Sequence, residues 1–239
     1  MNTDKNSYTL IYAIVMVIVV AFLLSFVSSA LKARQTANVE LDKKKQILNS
    51  LNVDWLGKDV EALYNTYIVE GLVIDTKGTI LEKSKDAAFD IDIVKEMAKP
   101  LAERQLPIYV ASVDGNKKYI FSLRGTGLWG ALWGYIALDS DKNTVYGTYF
   151  SHASETPGLG ANIADAPFQQ QFRGKHILND RNEFVSIAVM KSGARAEGRD
   201  QVDGISGGTI TSKGVENMLY NSLEQYDKFF QLTTEGGNE

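Results

Sequence analysis

Residues 6–31 contain no charged side chain and 10–24 are almost wholly apolar, about 26 positions in all. A helix of that length crosses a hydrocarbon core of roughly 30 Å. The alternative is a cleavable leader, since Ser28-Ser29-Ala30 has a small-x-small pattern. Against it, the apolar run exceeds the roughly 7–15 residues of such leaders, and only Lys5, offset by Asp4, precedes it. An uncleaved anchor is the better reading. Past the anchor, Val39, Leu41, Ile47, Leu48 and Leu51 recur at helical spacing and predict a charged, stalk-like helix over 33–52 that lifts the soluble part off the membrane. Helical character continues over 54–67. Residues 71–81 read as two short strands around a turn at Lys77-Gly78.

From residue 108 the period changes to that of strands. Segments 108–112, 118–123, 134–138 and 144–150, separated by Asp-Gly-Asn, Gly-rich and Asp-Lys-Asn turns, predict an antiparallel meander. A helical or looped stretch follows over 154–172, then a strand over 184–190. Val215, Met218, Leu219, Leu223, Tyr226 and Phe230 mark one face of a closing helix over 213–230 that packs on the sheet. The predicted class is α+β: a single N-terminal transmembrane helix, then a soluble mixed domain with mainly antiparallel sheet and packed helices. The expected division is a tail at 1–7, the span at 8–31, a juxtamembrane stalk at 32–58, the first part of the soluble domain at 59–120, its second part at 121–232, and a tail at 233–239 whose last residues, 235–239, fray.

Composition narrows the chemistry. At 239 residues and 44% hydrophobic content the chain can bury one or two modest cores, and a net charge of -4 with scattered lysines offers no footprint for nucleic acid. The absence of cysteine removes disulfides and cysteine-ligated iron–sulfur clusters from this chain. His152 and His176 are the only histidines and lack metal-ligand spacing, so they read as surface or satisfied core residues and no metal site is expected.

The segment Asp203-Gly204-Ile205-Ser206-Gly207-Gly208-Thr209-Ile210-Thr211-Ser212 sets hydroxyls among glycines just before a helix, an arrangement that suits a phosphate. It lacks the Lys-Ser/Thr ending of a P-loop, and no Gly-x-Gly-x-x-Gly fingerprint follows a strand, which disfavours nucleoside triphosphates and dinucleotides. Taken alone, such a run is an ordinary loop.

Several blocks in order carry a resemblance. Ser206-Gly207-Gly208-Thr209 is similar to the Ser-Gly-Ala-Thr flavinylation motif of FMN-binding domains, and Gly127-Leu128-Trp129-Gly130, Glu155-Thr156-Pro157-Gly158-Leu159-Gly160 and Val189-Met190-Lys191 resemble blocks of the same family. The set is similar to the C subunits of sodium-translocating NADH:quinone oxidoreductases, densest from about residue 125 to 220, with Gly208 standing where the family has Ala. A related flavin subunit of Rnf-type ferredoxin:NAD oxidoreductases shares two of the blocks, and a non-redox, membrane-tethered binding domain is the rival from another class.

The resemblance implies an FMN-binding-domain fold at 121–232 and one covalent FMN per chain, its phosphate esterified to Thr209. It implies phosphate contacts from Ser206 and from the N–H groups of Gly207, Gly208 and Thr211, with Lys191 as the nearby cation. It further implies flavin contacts from Glu155, Thr156, Leu159 and Gly160. Trp129 is a possible ring neighbour and Trp133 is expected in the core. No residue of this chain is expected to be catalytic by itself. A separate flavin transferase, using FAD as donor and recognising Asp203 among other residues, would attach the group. NADH oxidation, iron–sulfur centres, quinone reduction and the sodium path would lie in partner subunits of a bacterial inner-membrane complex. Two signals disagree on topology: Lys32, Arg34 and Lys43-Lys44-Lys45 after the span favour a cytoplasmic domain, whereas the resemblance implies the outer face.

Overall fold

The computed structural model describes residues 6–232, so the expectations for residues 1–5 and 233–239 lie outside the described residues. The chain divides into two units, Met1–Lys43 and Lys44–Glu239. In the first, the described residues belong to helix α1 (Asn6–Ser50), none of them is buried, and its apolar stretch is long enough to cross a membrane. In the second, the last turns of α1 bury Ile47, Leu48 and Ser50. The stalk pattern therefore ends as core: Leu51 is buried with them, whereas Val39 is exposed.

Helix α2 (Val60–Tyr67) starts later than the pattern suggested. Gly57 takes a positive φ of 72°, and the helix begins only where the Asp59 carboxylate caps the Glu61 and Ala62 amides. Strands β1 (Ile68–Ile74) and β2 (Ile80–Lys83) form the expected hairpin, closed by the Asp75 carboxylate on the Lys77 and Thr79 amides and by Gly78 at φ 83°. Two short helices, α3 (Lys85–Asp90) and α4 (Ile93–Met97), are capped by Ser84 and Asp92. Strands β3 (Leu106–Val113), β4 (Asn116–Thr126), β5 (Ala131–Leu138) and β6 (Val145–His152) make the predicted meander. All six strands join in one antiparallel sheet of order β2-β1-β3-β4-β5-β6.

Both faces of this sheet are covered, which is why β3 is buried along nearly all its length. Leu72, Ile108, Phe121 and Ile136 pair in a row across β1, β3, β4 and β5 and face the main core. On the other face, Tyr109 is fully buried and its hydroxyl donates to the Ala88 carbonyl of α3. Trp133 is a correction: it is half-buried beneath the Arg124 guanidinium, 5.8 Å from its ring centroid.

After β6 come a 3-10 turn at Gly160–Ala164 and α5 (Ala166–Gln169). The strand expected over 184–190 shrinks to β7 (Ala188–Met190), because Ser186 sits at φ 57° and the Val185 and Ser186 amides both turn to the Ile177 carbonyl. It pairs in parallel with β8 (Gln201–Asp203) as a separate two-stranded ribbon. The closing helix, α6 (Thr209–Leu223), starts four residues earlier than predicted, then breaks into a 3-10 turn and α7 (Asp227–Gln231). That early start makes Thr209 the first residue of the helix.

Candidate functional site

Three segments distant in sequence meet at the start of α6 around a cleft of about 220 Å³. It is lined by Leu128, Glu155, Thr156, Leu159, Gly160 and residues 207–211. Each wall is a tight turn. The Gly127 amide donates to the Gly130 carbonyl at 2.8 Å, and the Ser154 hydroxyl holds the Trp129 carbonyl at 2.7 Å. The Thr156 carbonyl accepts both the Leu159 and Ala161 amides, with Gly158 at φ 75° between. In the third wall, Gly207 takes φ 74°, where a side chain would also meet Leu159 Cδ2 at 2.7 Å. The Ser212 hydroxyl reaches back to the Ile205 amide at 2.8 Å, fixing the entry to α6.

The helix start leaves donors free. The N–H groups of Thr209, Ile210 and Thr211 have no acceptor among the described residues, and all three residues line the cleft. Thr209 is exposed, and its hydroxyl makes no hydrogen bond with the described residues. Free amides, the positive end of a 15-residue helix and a free hydroxyl together suit a phosphate with a covalent link. Exposed Leu128, Leu159 and Ile210, all of which line the cleft, supply apolar surface beside it, as a flat aromatic ring requires. The residues present thus fit FMN.

The structure brings Glu155, Thr156, Leu159, Gly160, Gly207, Gly208, Thr209 and Thr211 together and refines several roles. The Gly208 amide is engaged by the Ile205 carbonyl at 3.0 Å. The φ of Gly208, -108°, is open to any residue, but a methyl there would press on Ile205 Cβ and Cγ2 at 3.1 Å and on the Gly160 amide nitrogen at 3.2 Å, so an alanine needs those neighbours to give by a few tenths of an ångström. Ser206 is exposed and does not line the cleft. Lys191 also lies outside the lining, in the turn after β7 closed by the Ala194 amide on its carbonyl. Asp203 keeps its carboxylate exposed while Gln171 clamps its backbone amide and carbonyl. Trp129 reaches the site through its backbone. Leu128 and Ile210 were not anticipated as lining residues, although both lay inside recognised segments, 127–130 and 203–212.

Glu155 departs most from expectation. It is only 4% exposed, and its carboxylate accepts the Trp129 amide at 2.8 Å and the Thr211 hydroxyl at 2.5 Å. The Glu155 amide in turn donates to His152 Nδ1 at 3.2 Å. Burial opposes ionisation, but the bonds from Thr211, Trp129 and Leu128, with His152 nearby, outweigh it and hold this carboxyl below its ordinary value of 4.5. Buried Glu216 is likewise held low against burial by Lys213, Arg199 and the Val189 amide. A carboxyl whose folded pKa is depressed contributes stability that is complete above its unfolded value and is lost as pH falls through the folded one. The melting temperature is therefore expected to fall more steeply below pH 4.5 in the parent chain than in Glu155→Gln. Parallel slopes would reject that linkage.

Comparison with known proteins agrees with this geometry. Residues 127–224 match the FMN-binding domain family. The C subunit of the Na(+)-translocating NADH-quinone reductase of Vibrio parahaemolyticus is 31% identical over 234 residues, covering 90% of this chain and 89% of that one. Its counterpart in Pseudomonas aeruginosa is 32% identical over 245 residues, covering 92% of each. The crystal structure of the same reductase's C subunit from Parabacteroides distasonis is 50% identical, covers 84% of this chain and 97% of its own, and superposes with a TM-score of 0.78. Shewanella oneidensis NqrC shares the fold at 22% identity, with a TM-score of 0.67 over 81% of this chain and 97% of its own. A chain with this sheet, this helix start and near full-length relatives belongs to the family of Na(+)-translocating NADH-quinone reductase C subunits.

Proposed function

We propose that this chain is the electron-relay subunit of a membrane-bound, sodium-pumping NADH:quinone oxidoreductase, carrying one FMN esterified through its phosphate to Thr209. The observation that carries the reading is the exposed Thr209 hydroxyl at the cleft, beside three helix-start amides, none of these groups having a partner among the described residues. Those amides hold the phosphate oxygens, and Gly207 gives the approach its left-handed turn. Leu128, Leu159 and Ile210 present apolar surface to the ring and shield it from water, and Trp129 contributes through its backbone. Thr156 and Gly160 shape the wall between ring and phosphate. Ser206 and Lys191 lie outside the cleft lining and would be outer contacts of the phosphate. Bound FMN supplies the ability to take up and release electrons, which this chain's side chains lack.

The chain does not install its own cofactor. The one carboxylate in the cleft wall, Glu155, is already engaged by the Thr211 hydroxyl and the Trp129 amide. A flavin transferase would use FAD: the Thr209 oxygen forms a bond to the FMN phosphorus, the diphosphate bond breaks, AMP leaves and the hydroxyl proton is released. Intact mass of the chain co-produced with such a transferase tests this. The expected result is a gain of one FMN less water, mapped to Thr209. An unmodified chain beside an active transferase would overturn it.

In this reading residues 8–31 cross the bilayer, 32–58 form the stalk with Ile47, Leu48 and Leu51 of its second half buried in the soluble core, 59–120 begin the soluble domain and 121–232 hold the flavin. With no Asp, Glu, Lys, Arg or His across 6–31 and no cysteine, the ion path, iron–sulfur centres, NADH oxidation and quinone reduction fall to partner subunits. The flavin domain sits on the outer face of the inner membrane, since long domains translocate largely regardless of nearby positive charge. The Asn221→Cys variant, changed at an exposed position, should react with a membrane-impermeant maleimide in cells whose outer membrane is permeabilised. Labelling only after the inner membrane is broken would place the domain inside.

A further inference from the structure

Glu155 is a buried carboxylate with no lysine or arginine paired to it among the described residues. Such a group is costly unless its hydrogen bonds are complete. Here they come from two other segments, the Trp129 amide of the 127–130 turn and the Thr211 hydroxyl of α6. Space is kept for it by two positions that lack a Cβ. A methyl on Gly127 would lie 2.5 Å from one carboxylate oxygen, and one on Gly160 would lie 2.6 Å from the other while striking the Thr211 hydroxyl.

The consequence is geometric. Residues two apart on a helix point about 200° away from each other. Fastening Thr211 inward therefore turns Thr209 outward, into the cleft. We infer that Glu155 is a positioning residue for the flavin acceptor: its carboxylate locks the first turn of α6 through Thr211, and the turn at 127–130 through Trp129, so that the Thr209 hydroxyl is presented before the flavin arrives. The inference rests on the proposed Thr209 linkage.

The test measures FMN load by intact mass, with peptide mapping, in the full chain co-produced with the transferase. Thr211→Val and Glu155→Ala each remove the Thr211–carboxylate bond and should load up to about a hundredfold more slowly at matched times, the scale for misplacing a reacting group by roughly 1 Å. Thr211→Ser keeps the hydroxyl, and Glu155→Gln can accept from the Trp129 amide while donating to Thr211, so both should load nearly as the parent does. A destabilised control away from the cleft, Leu106→Ala in β3, should keep its load despite a lower melting temperature. This pattern of rescue separates positioning from loss of stability.

Equal loading of Thr211→Val and the parent would overturn the inference, as would a load that falls with melting temperature in every variant including Leu106→Ala. If Glu155→Ala does not fold, the Thr211→Val and Thr211→Ser pair decides. An unmodified parent chain would reject the Thr209 linkage and this inference together, whereas a modified parent with equally modified variants rejects the inference alone.

Discussion

Thr209→Ala is expected to abolish covalent flavin entirely while leaving the fold intact. The hydroxyl is exposed and makes no hydrogen bond with the described residues, so its removal takes no donor or acceptor from another group. At the first position of α6, alanine is at least as good a helix former as threonine, and the change in stability should stay within about 0.5 kcal/mol. Intact mass would then show only the unmodified chain, with thermal unfolding close to that of the parent. Thr209→Ser, which keeps a hydroxyl at the same place, should accept the group. A Thr209→Ala chain that still carried FMN would require another acceptor. Thr211 is poorly placed for that role, being 2% exposed with its hydroxyl on Glu155.

Phe121→Ala should have the largest effect on stability, about 3–5 kcal/mol, the range for truncating a fully buried phenylalanine. Phe121 is 0% exposed in the middle of β4, and its ring meets Tyr226 at 4.9 Å, Phe230 at 5.3 Å and Phe229 at 6.2 Å, all near edge-to-face. Tyr226 is further tied by its hydroxyl to the Pro107 carbonyl of β3 at 3.0 Å. The phenylalanine thus fastens the C-terminal segment, and through it α6, to the sheet. For a unit of this size the melting temperature should drop by roughly 6–20 °C, read by calorimetry on the full chain in detergent. A change of less than about 1 kcal/mol would mean that the cluster closes over the gap, contrary to the close packing described.

The membrane-length helix and the β3–β6 meander were legible because their signals are local. An uncharged apolar run states its own length, and alternation between turn residues states a strand. The start of α6 was misplaced because Thr-Ile-Thr-Ser after two glycines carries no strong helix preference. What begins the helix there is the Ser212 hydroxyl on the Ile205 amide and the docking of Thr211 on Glu155. Trp133 was misjudged for a related reason: an aromatic ring can end half-buried under a neighbouring guanidinium as readily as in a core.

By itself the amino-acid order determined an anchor, an α+β domain, a chain without metal-ligand spacing or thiols, and the short blocks that mark FMN-binding domains. Which hydroxyl and which amides lack partners among the described residues, and that the Glu155 carboxylate binds Trp129 and Thr211 within the wall, emerge from the folded arrangement alone. Those properties depend on contacts between residues as far as 56 positions apart, and a side chain's partners are set by where the sheet and helix bring it, which no local pattern records.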